Sequence, residues 1–359
     1  MATASTVQAR DGAPSPPTRP AARRSALASA PSRLVGLLLA VAGLGLLCLL
    51  SLAVGSRPVA LPDVVAALTA FDPGQEDHVV VVSLRVPRTL VALLVGLGLG
   101  LAGAVMQGLT RNPLADPGIL GVSAGAALAV VVGITVGVST LGAQVWLALA
   151  GAAVASAVVY ALGSTGRSGA TPVALALAGA AVTAFLVSVT TTLLLLDSAT
   201  LDQYRFWAVG HVAGRDLSVA AQVAPFLAVG AVLALASGRA LNALALGDDV
   251  ARSLGARVGL TRVAAALSVV LLVGAATAAA GPIAFVGLTV PHVARALTGP
   301  DHRWVLAYSA VLAPVLLLAA DVLGRVVARP GELQVGIVTA VVGAPVFIAL
   351  VRRRTLAQV

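Results

Sequence analysis

The sequence predicts an all-α, polytopic membrane protein with about ten transmembrane helices. Three observations carry this. Hydrophobic residues make up 59% of the 359 and charged residues only 10%, against roughly 25% charged in soluble domains. Mean hydropathy is +1.01. Charge-free apolar runs recur along the chain, most of them near or above the roughly 20 residues that a crossing needs.

In chain order, residues 1–33 are rich in Pro, Ala, Ser and Arg ("SPPTRPAARRSALASAPSR") and predict a disordered, basic cytosolic tail. The apolar run that follows exceeds 20 residues and lacks a small-residue cleavage pattern, so an uncleaved first span is expected over 34–56. A second span covers 89–110. The run 117–166 is long enough for two, with a turn near "GVSTLGAQ" (Gly137 to Gln144). Single spans follow at 168–196 and 217–238. The run 263–294 is broken at Gly281-Pro282 and reads as two crossings, the second short and reaching about Leu297. Spans at 304–320 and 333–351 complete the ten, leaving 355–359 as a short cytosolic end. "NP" at Asn112, "DP" at Asp116 and "TP" at Thr171 put capping side chains before prolines and mark helix starts. Gly96, Gly100 and Ala104 lie four apart, a small-residue stripe suited to close helix packing in lipid.

Ten spans with the N-terminus inside place sixteen of the 23 basic residues in cytoplasmic segments and most acids outside. That agrees with the positive-inside rule and places both termini in the cytoplasm. The formal net charge of +9 is spread between apolar runs in a chain with 3% aromatics, which is not a nucleic-acid-binding face. The chain has no lysine, so it lacks the Gly-Lys-Ser/Thr of a phosphate-binding P-loop, and any ATPase must be a separate chain. One cysteine, Cys48, excludes a disulfide framework. His211, His292 and His302 have no second ligand at metal spacing, and no nucleophile–base pattern is visible, so no cofactor, metal or catalysis is expected. The spans are nearly empty of ionisable groups, which disfavours a secondary transporter.

Three features stand out from this background. The 239–262 loop carries Leu241, Leu244, Val250, Leu254 and Val258 at three- to six-residue steps, as two short amphipathic helices broken at Gly247 would, and such a helix suits a groove in a partner. Asp321 and Arg325 are four apart on one helix face and can pair. Arg85, Arg88 and Arg325 fall on the outer side against the arginine bias, as they would if they met an acidic partner or simply snorkelled. In "VSVTTTLLLL" (Val187 to Leu196) the hydroxyls could line a pore, although bonding back to the helix is commoner.

The motifs "RVPRTL", "QGLTRNPLADPGILGVSAGA", "LNALALGDDVARSLG", "FVGLTVPHVARALTGPDHR", "AADVLGR" and "GIVTAVVGAPVFIALVRR" run from about residue 34 to 354. The chain resembles the FecCD-type permease subunits of binding-protein-dependent ABC importers for ferric siderophores, haem and cobalamin. The resemblance implies a type II ABC importer permease architecture in the cell membrane. Two permeases, the second a further copy or a homologue, would surround one path, with two ATPase subunits below and an extracytoplasmic substrate-binding protein above. It implies that Arg85, Arg88 and Arg325 dock the binding protein, and that Asn112 and Leu114 form a cytoplasmic gate. Leu246, Gly247, Asp248, Ala251, Leu254 and Gly255 would belong to the ATPase coupling loop. Ferric siderophore is the expected cargo, ahead of haem and cobalamin. One departure is "ELQVG", with Gln334 where the family usually has proline, which leaves the turn at Glu332 open.

Overall fold

A computed structural model of the chain describes residues 27, 29–138, 140–165 and 171–352. The expected tail, apart from its last few residues, the C-terminal end 355–359 and Arg167 lie outside the described residues. Among the described residues the fold is helical, with no strand.

Among the described residues seven helical units are long and apolar enough to cross a membrane. They are α1 (Ala30–Ala53), the continuous helix Glu76–Thr110, α6 (Leu141–Ser164), α7 (Pro172–Leu196), α9 (Leu217–Ala236), α12 (Val258–Ala280) and α14 (His302–Val327). Three shorter helices complete the expected ten: α5 (Val122–Thr135), α13 (Val286–Thr298) and α15 (Val335–Arg352). The chain breaks where expected, between α5 and α6 and at Gly281-Pro282 between α12 and α13. α13 has only 13 residues, about 20 Å at 1.5 Å per residue, against roughly 30 Å of hydrocarbon. The irregular backbone before it is satisfied internally, as membrane depth demands: Ala280 O accepts from His211 N at 2.7 Å.

Boundaries differ from the sequence reading at several points. α1 begins at Ala30 rather than 34 because Ser29 and Ser32 form a reciprocal capping box. The second span begins at Glu76 rather than near 89. It comprises α3 (Glu76–Val79), a π-helical segment (Val80–Arg85) and α4 (Val86–Thr110). Val86 N donates to Val81 O, five residues back, and Pro87, which lacks an N–H, follows in the first turn of α4. Asn112 starts no helix; its Oδ1 accepts from Leu114 N at 2.9 Å in a turn. Asp116 and Thr171 do cap, at 2.7 Å to Gly118 N and 3.2 Å to Ala174 N. Two surface helices, α2 (Leu61–Thr69) and α8 (Ser198–Ala208), were not expected.

α4 is the central rod, buried along nearly its whole length and packed by α9, α12, α13 and α14. The small-residue stripe sets its closest approach. A Cβ on Gly96 would lie 2.6 Å from Pro314 Cα of α14, and one on Gly100 would lie 2.5 Å from Ser309 O. α5, α6 and α7 form a second group, joined to the first through α12. α10 (Gly238–Ala245) and α11 (Asp248–Ser253) lie at the end of the bundle where α4 finishes and α14 begins. They are broken at Gly247, whose φ of 108° favours glycine.

Candidate functional site

The two ends of α4, 25 residues and so about 37 Å apart, carry the two charged constellations. At its N-terminal end Asp321, 1% exposed, receives two guanidinium groups. Arg88 donates from Nε at 3.0 Å and from Nη2 at 2.8 Å, and Arg325 Nη2 forms an ion pair with it at 2.9 Å. Arg88 also donates to Glu332 Oε2 at 2.6 Å. Glu332 is thus fixed to α4, with no proline at position 334, and α15 starts at Val335.

Arg85 and Arg325 have a second occupation that the sequence did not reveal. The last carbonyls of α1 lack intrahelical donors, and these arginines supply them. Arg325 Nη1 donates to Ser51 O at 2.9 Å and Val54 O at 3.0 Å, and its Nη2 to Ser51 Oγ at 2.8 Å. Arg85 donates to Leu52 O at 2.6 Å and to Arg57 O. Arg329 adds a bond to Gly55 O at 2.8 Å. Positive charge at a helix C-terminus also favours the macrodipole. Arg85 and Arg325, 6% and 2% exposed, are therefore structural caps as well as candidate docking groups. Arg88 keeps both its partners in the acid pair.

Beside them opens a cleft of about 480 Å³, lined among others by Arg57, Arg85, Arg88, Arg215, Arg325 and Glu332. Arg215 stands in the turn before α9, where burial pushes its guanidinium pKa down to about 10 against the opposing pull of Asp216. Burial, reinforced by Arg215, also holds His211 down to about 4, so it is neutral at pH 7.

At the opposite end Arg111, with φ 51°, turns the chain out of α4 and pairs with Asp248 at the start of α11. Asp248 also accepts from Arg262 of α12 at 2.7 Å. Burial opposes ionisation of Asp248, but the hydrogen bond from Arg111 and the charges of Arg262 and Arg111 outweigh it and hold its pKa below the usual carboxylate range. The turn that carries Asn112 and Leu114 is thereby tied to α11. Asn242 of α10 makes a second tie. Its Oδ1 accepts from His302 N at 2.8 Å, and its Nδ2 donates to Asp301 Oδ1 at 2.7 Å. Asn112 is exposed and Leu114 half-buried. Of the six residues expected in a coupling loop, Ala251 is buried, Gly247 and Asp248 are half-buried, and Leu246, Leu254 and Gly255 are exposed. Leu246 and Leu254, 63% and 64% exposed, and Val250 are apolar side chains left open to solvent.

The hydroxyls of Ser188, Thr190 and Thr192 each donate to the carbonyl four residues back, at 2.8, 2.8 and 2.9 Å. They are satisfied within α7 even where that helix is exposed.

Residues 39–353 match the FecCD transport family. The chain belongs to that family. It is 47% identical over 323 residues to the ferric enterobactin transport system permease protein FepD of Escherichia coli (strain K12), covering 88% of this chain and 96% of that one. It is 44% identical over 288 residues to the probable siderophore transport system permease protein YfiZ of Bacillus subtilis (strain 168), covering 80% and 86% respectively. Its fold is similar to a solved structure described as an inward-facing conformation of a metal-chelate type ABC transporter. The TM-score is 0.78 at 27% sequence identity, with 90% of this chain and 99% of that one covered. The FecCD chain is thus a multi-pass membrane permease of an ABC importer.

Proposed function

We propose that this permease moves a ferric siderophore inward across the cytoplasmic membrane, with both termini cytoplasmic. It performs no covalent chemistry itself. Two copies, or one copy and a homologue, surround the path; two ATPase subunits drive it, and an extracytoplasmic binding protein delivers the cargo. The observation that supports the coupling is that Leu246, Val250 and Leu254 are left exposed at the end of the bundle where the arginine bias expects the cytoplasm. An exposed apolar patch on short helices fits a groove in a partner. Asn112 and Leu114, on the turn tied to α11 through Arg111 and Asp248, act as the inner gate. Arg88, together with Arg85 and Arg325 at the cleft, receives the binding protein's acidic side chains. The mechanism is alternating access, in which ATP binding shifts the population between outward- and inward-open states.

Proteoliposomes holding the permease, its ATPase and its binding protein test this. ATP-dependent accumulation of a ferric siderophore, absent without the ATPase, is the expected result. Uptake driven by an ion gradient alone overturns the ABC mechanism. Preferential accumulation of haem or cobalamin overturns the cargo assignment and leaves the mechanism standing.

A further inference from the structure

We infer that the arginine cleft is a carboxylate-binding site centred on Arg215, a residue distinct from the docking arginines Arg85, Arg88 and Arg325. Arg215 is 5% exposed, lines the cleft, and its Nε is buried with no hydrogen-bond partner among the described residues. No carboxylate among those residues pairs with it. The adjacent Asp216 turns its Oδ1 to Val219 N at 3.0 Å and to Ser218 Oγ at 2.6 Å, capping α9. Arg85, in the same wall, bonds only backbone carbonyls. The other cleft arginines are matched: Arg57 with Glu76 and Asp77, and Arg88 and Arg325 with Asp321, Arg88 also with Glu332.

Two guanidinium groups without carboxylates therefore share one open, polar cleft. A buried charge without a partner is costly, and a guanidinium fork matches a planar carboxylate in bidentate geometry. Gly214, with φ 68°, and the α9 cap set the backbone on both sides of Arg215. The carboxylate can come from a side chain of the docking protein or from an acidic chelate cargo. Naming the source rests on the proposed function; the existence of the site does not.

The purified permease in nanodiscs, titrated with succinate against chloride at matched ionic strength, tests the site. Wild type is expected to gain a saturable rise of about 5 °C in thermal midpoint at a hundredfold excess over Kd. Arg215→Gln is expected to lose the rise, while Arg329→Gln, outside the cleft wall, keeps it. Should Arg215→Gln not fold, Arg215→Lys keeps the charge without the fork and is expected to bind at least about tenfold more weakly. An unchanged succinate midpoint in a folded Arg215 variant, or an equal response to chloride, overturns the site. Two competition arms then name the source. Displacement of succinate by the binding protein assigns a protein side chain, and displacement by ferric citrate alone assigns the cargo. If Arg88→Glu leaves binding-protein recruitment intact, the docking reading falls while the succinate result stands.

Discussion

Replacing Asp321 by Asn removes the one carboxylate shared by Arg88 and Arg325. The loss can be sized from the contacts. Asp321 accepts from Arg88 at 2.8 and 3.0 Å and is ion-paired with Arg325 at 2.9 Å. A hydrogen bond to a charged group contributes about 1.5–3 kcal/mol, so the two bonds from Arg88 suggest about 3–6 kcal/mol. Removing one partner of a buried ion pair independently costs about 3–5 kcal/mol. The two ranges agree because Arg325, 2% exposed, cannot recover its charge from water, whereas Arg88 retains Glu332. At about 2 °C per kcal/mol for a large domain, the thermal midpoint in detergent should fall by about 6–10 °C, read by far-UV circular dichroism. Asp321→Leu combined with Arg325→Met removes both charges and should cost less than Asp321→Asn alone, despite losing a cap on α1. A midpoint within about 1 °C of wild type for Asp321→Asn would refute the assignment of Asp321 as the shared counter-ion. A double variant worse than the sum of both singles would refute the charge argument.

Gly96→Val forces a Cβ to within 2.6 Å of Pro314 Cα and should cost about 1–3 kcal/mol by overpacking. Gly43→Ala, with nothing within 4 Å, should leave the midpoint unchanged or raise it. The Asp301 carboxyl is held down at about 2 by Arg303 first, against burial, and by Asn242. Its folded pKa lies below the unfolded value of about 3.9, so its stabilisation is present above that value and is lost as pH falls toward 2. The difference in midpoint between wild type and Asp301→Asn should be constant from pH 8 to about 5 and shrink between about pH 4 and 2. Leu254→Asp should weaken ATPase docking by about 2 kcal/mol, roughly thirtyfold, measured by co-purification, with normal membrane insertion. Cysteines at Asn112 or Leu114, with Cys48 replaced, should crosslink across a permease dimer to an extent that changes with bound nucleotide.

The crossings were legible because a helix that buries its backbone in lipid needs a long apolar run, and charge marks where each run leaves the bilayer. The shortness of α13 was legible only as a broken run, since hydropathy does not separate helix from buried extended backbone. α8 was missed because its sequence, SATLDQYRFWA, is too polar to register as a span and its loop showed no other signal. The break at Gly247 was readable from the residue type. The arginines show where reading stops. Their place near one end of the bundle followed from charge bias, and the Asp321–Arg325 pair from four-residue spacing. Their capping of α1 did not follow, because the carbonyls that receive Arg85 and Arg325 lie 33 and 274 residues away in sequence. Arg215 looked like any of the outer arginines until the fold placed it in a wall with no partner among the described residues.

The linkage between the two ends of the molecule follows from α4 and α14. These helices run antiparallel, so each carries one element of both constellations. α4 starts beside Arg85 and Arg88 and ends at Arg111; α14 starts at His302 and ends beyond Asp321 and Arg325. Under the coupling reading, a force on α10 and α11 enters through Asn242 to the head of α14 and through Asp248 to the tail of α4. Pro314 interrupts the hydrogen bonding of α14 and would be its natural bending point. Yet Pro314 is the residue pressed against Gly96, where not even a Cβ fits. Bending α14 toward α4 there would drive backbone into backbone, so the pair moves together rather than flexing within itself. Under that reading, a push at α10 and α11 would reach the arginine cleft as a displacement of two packed rods. No relay of side chains through the bilayer is required for that displacement.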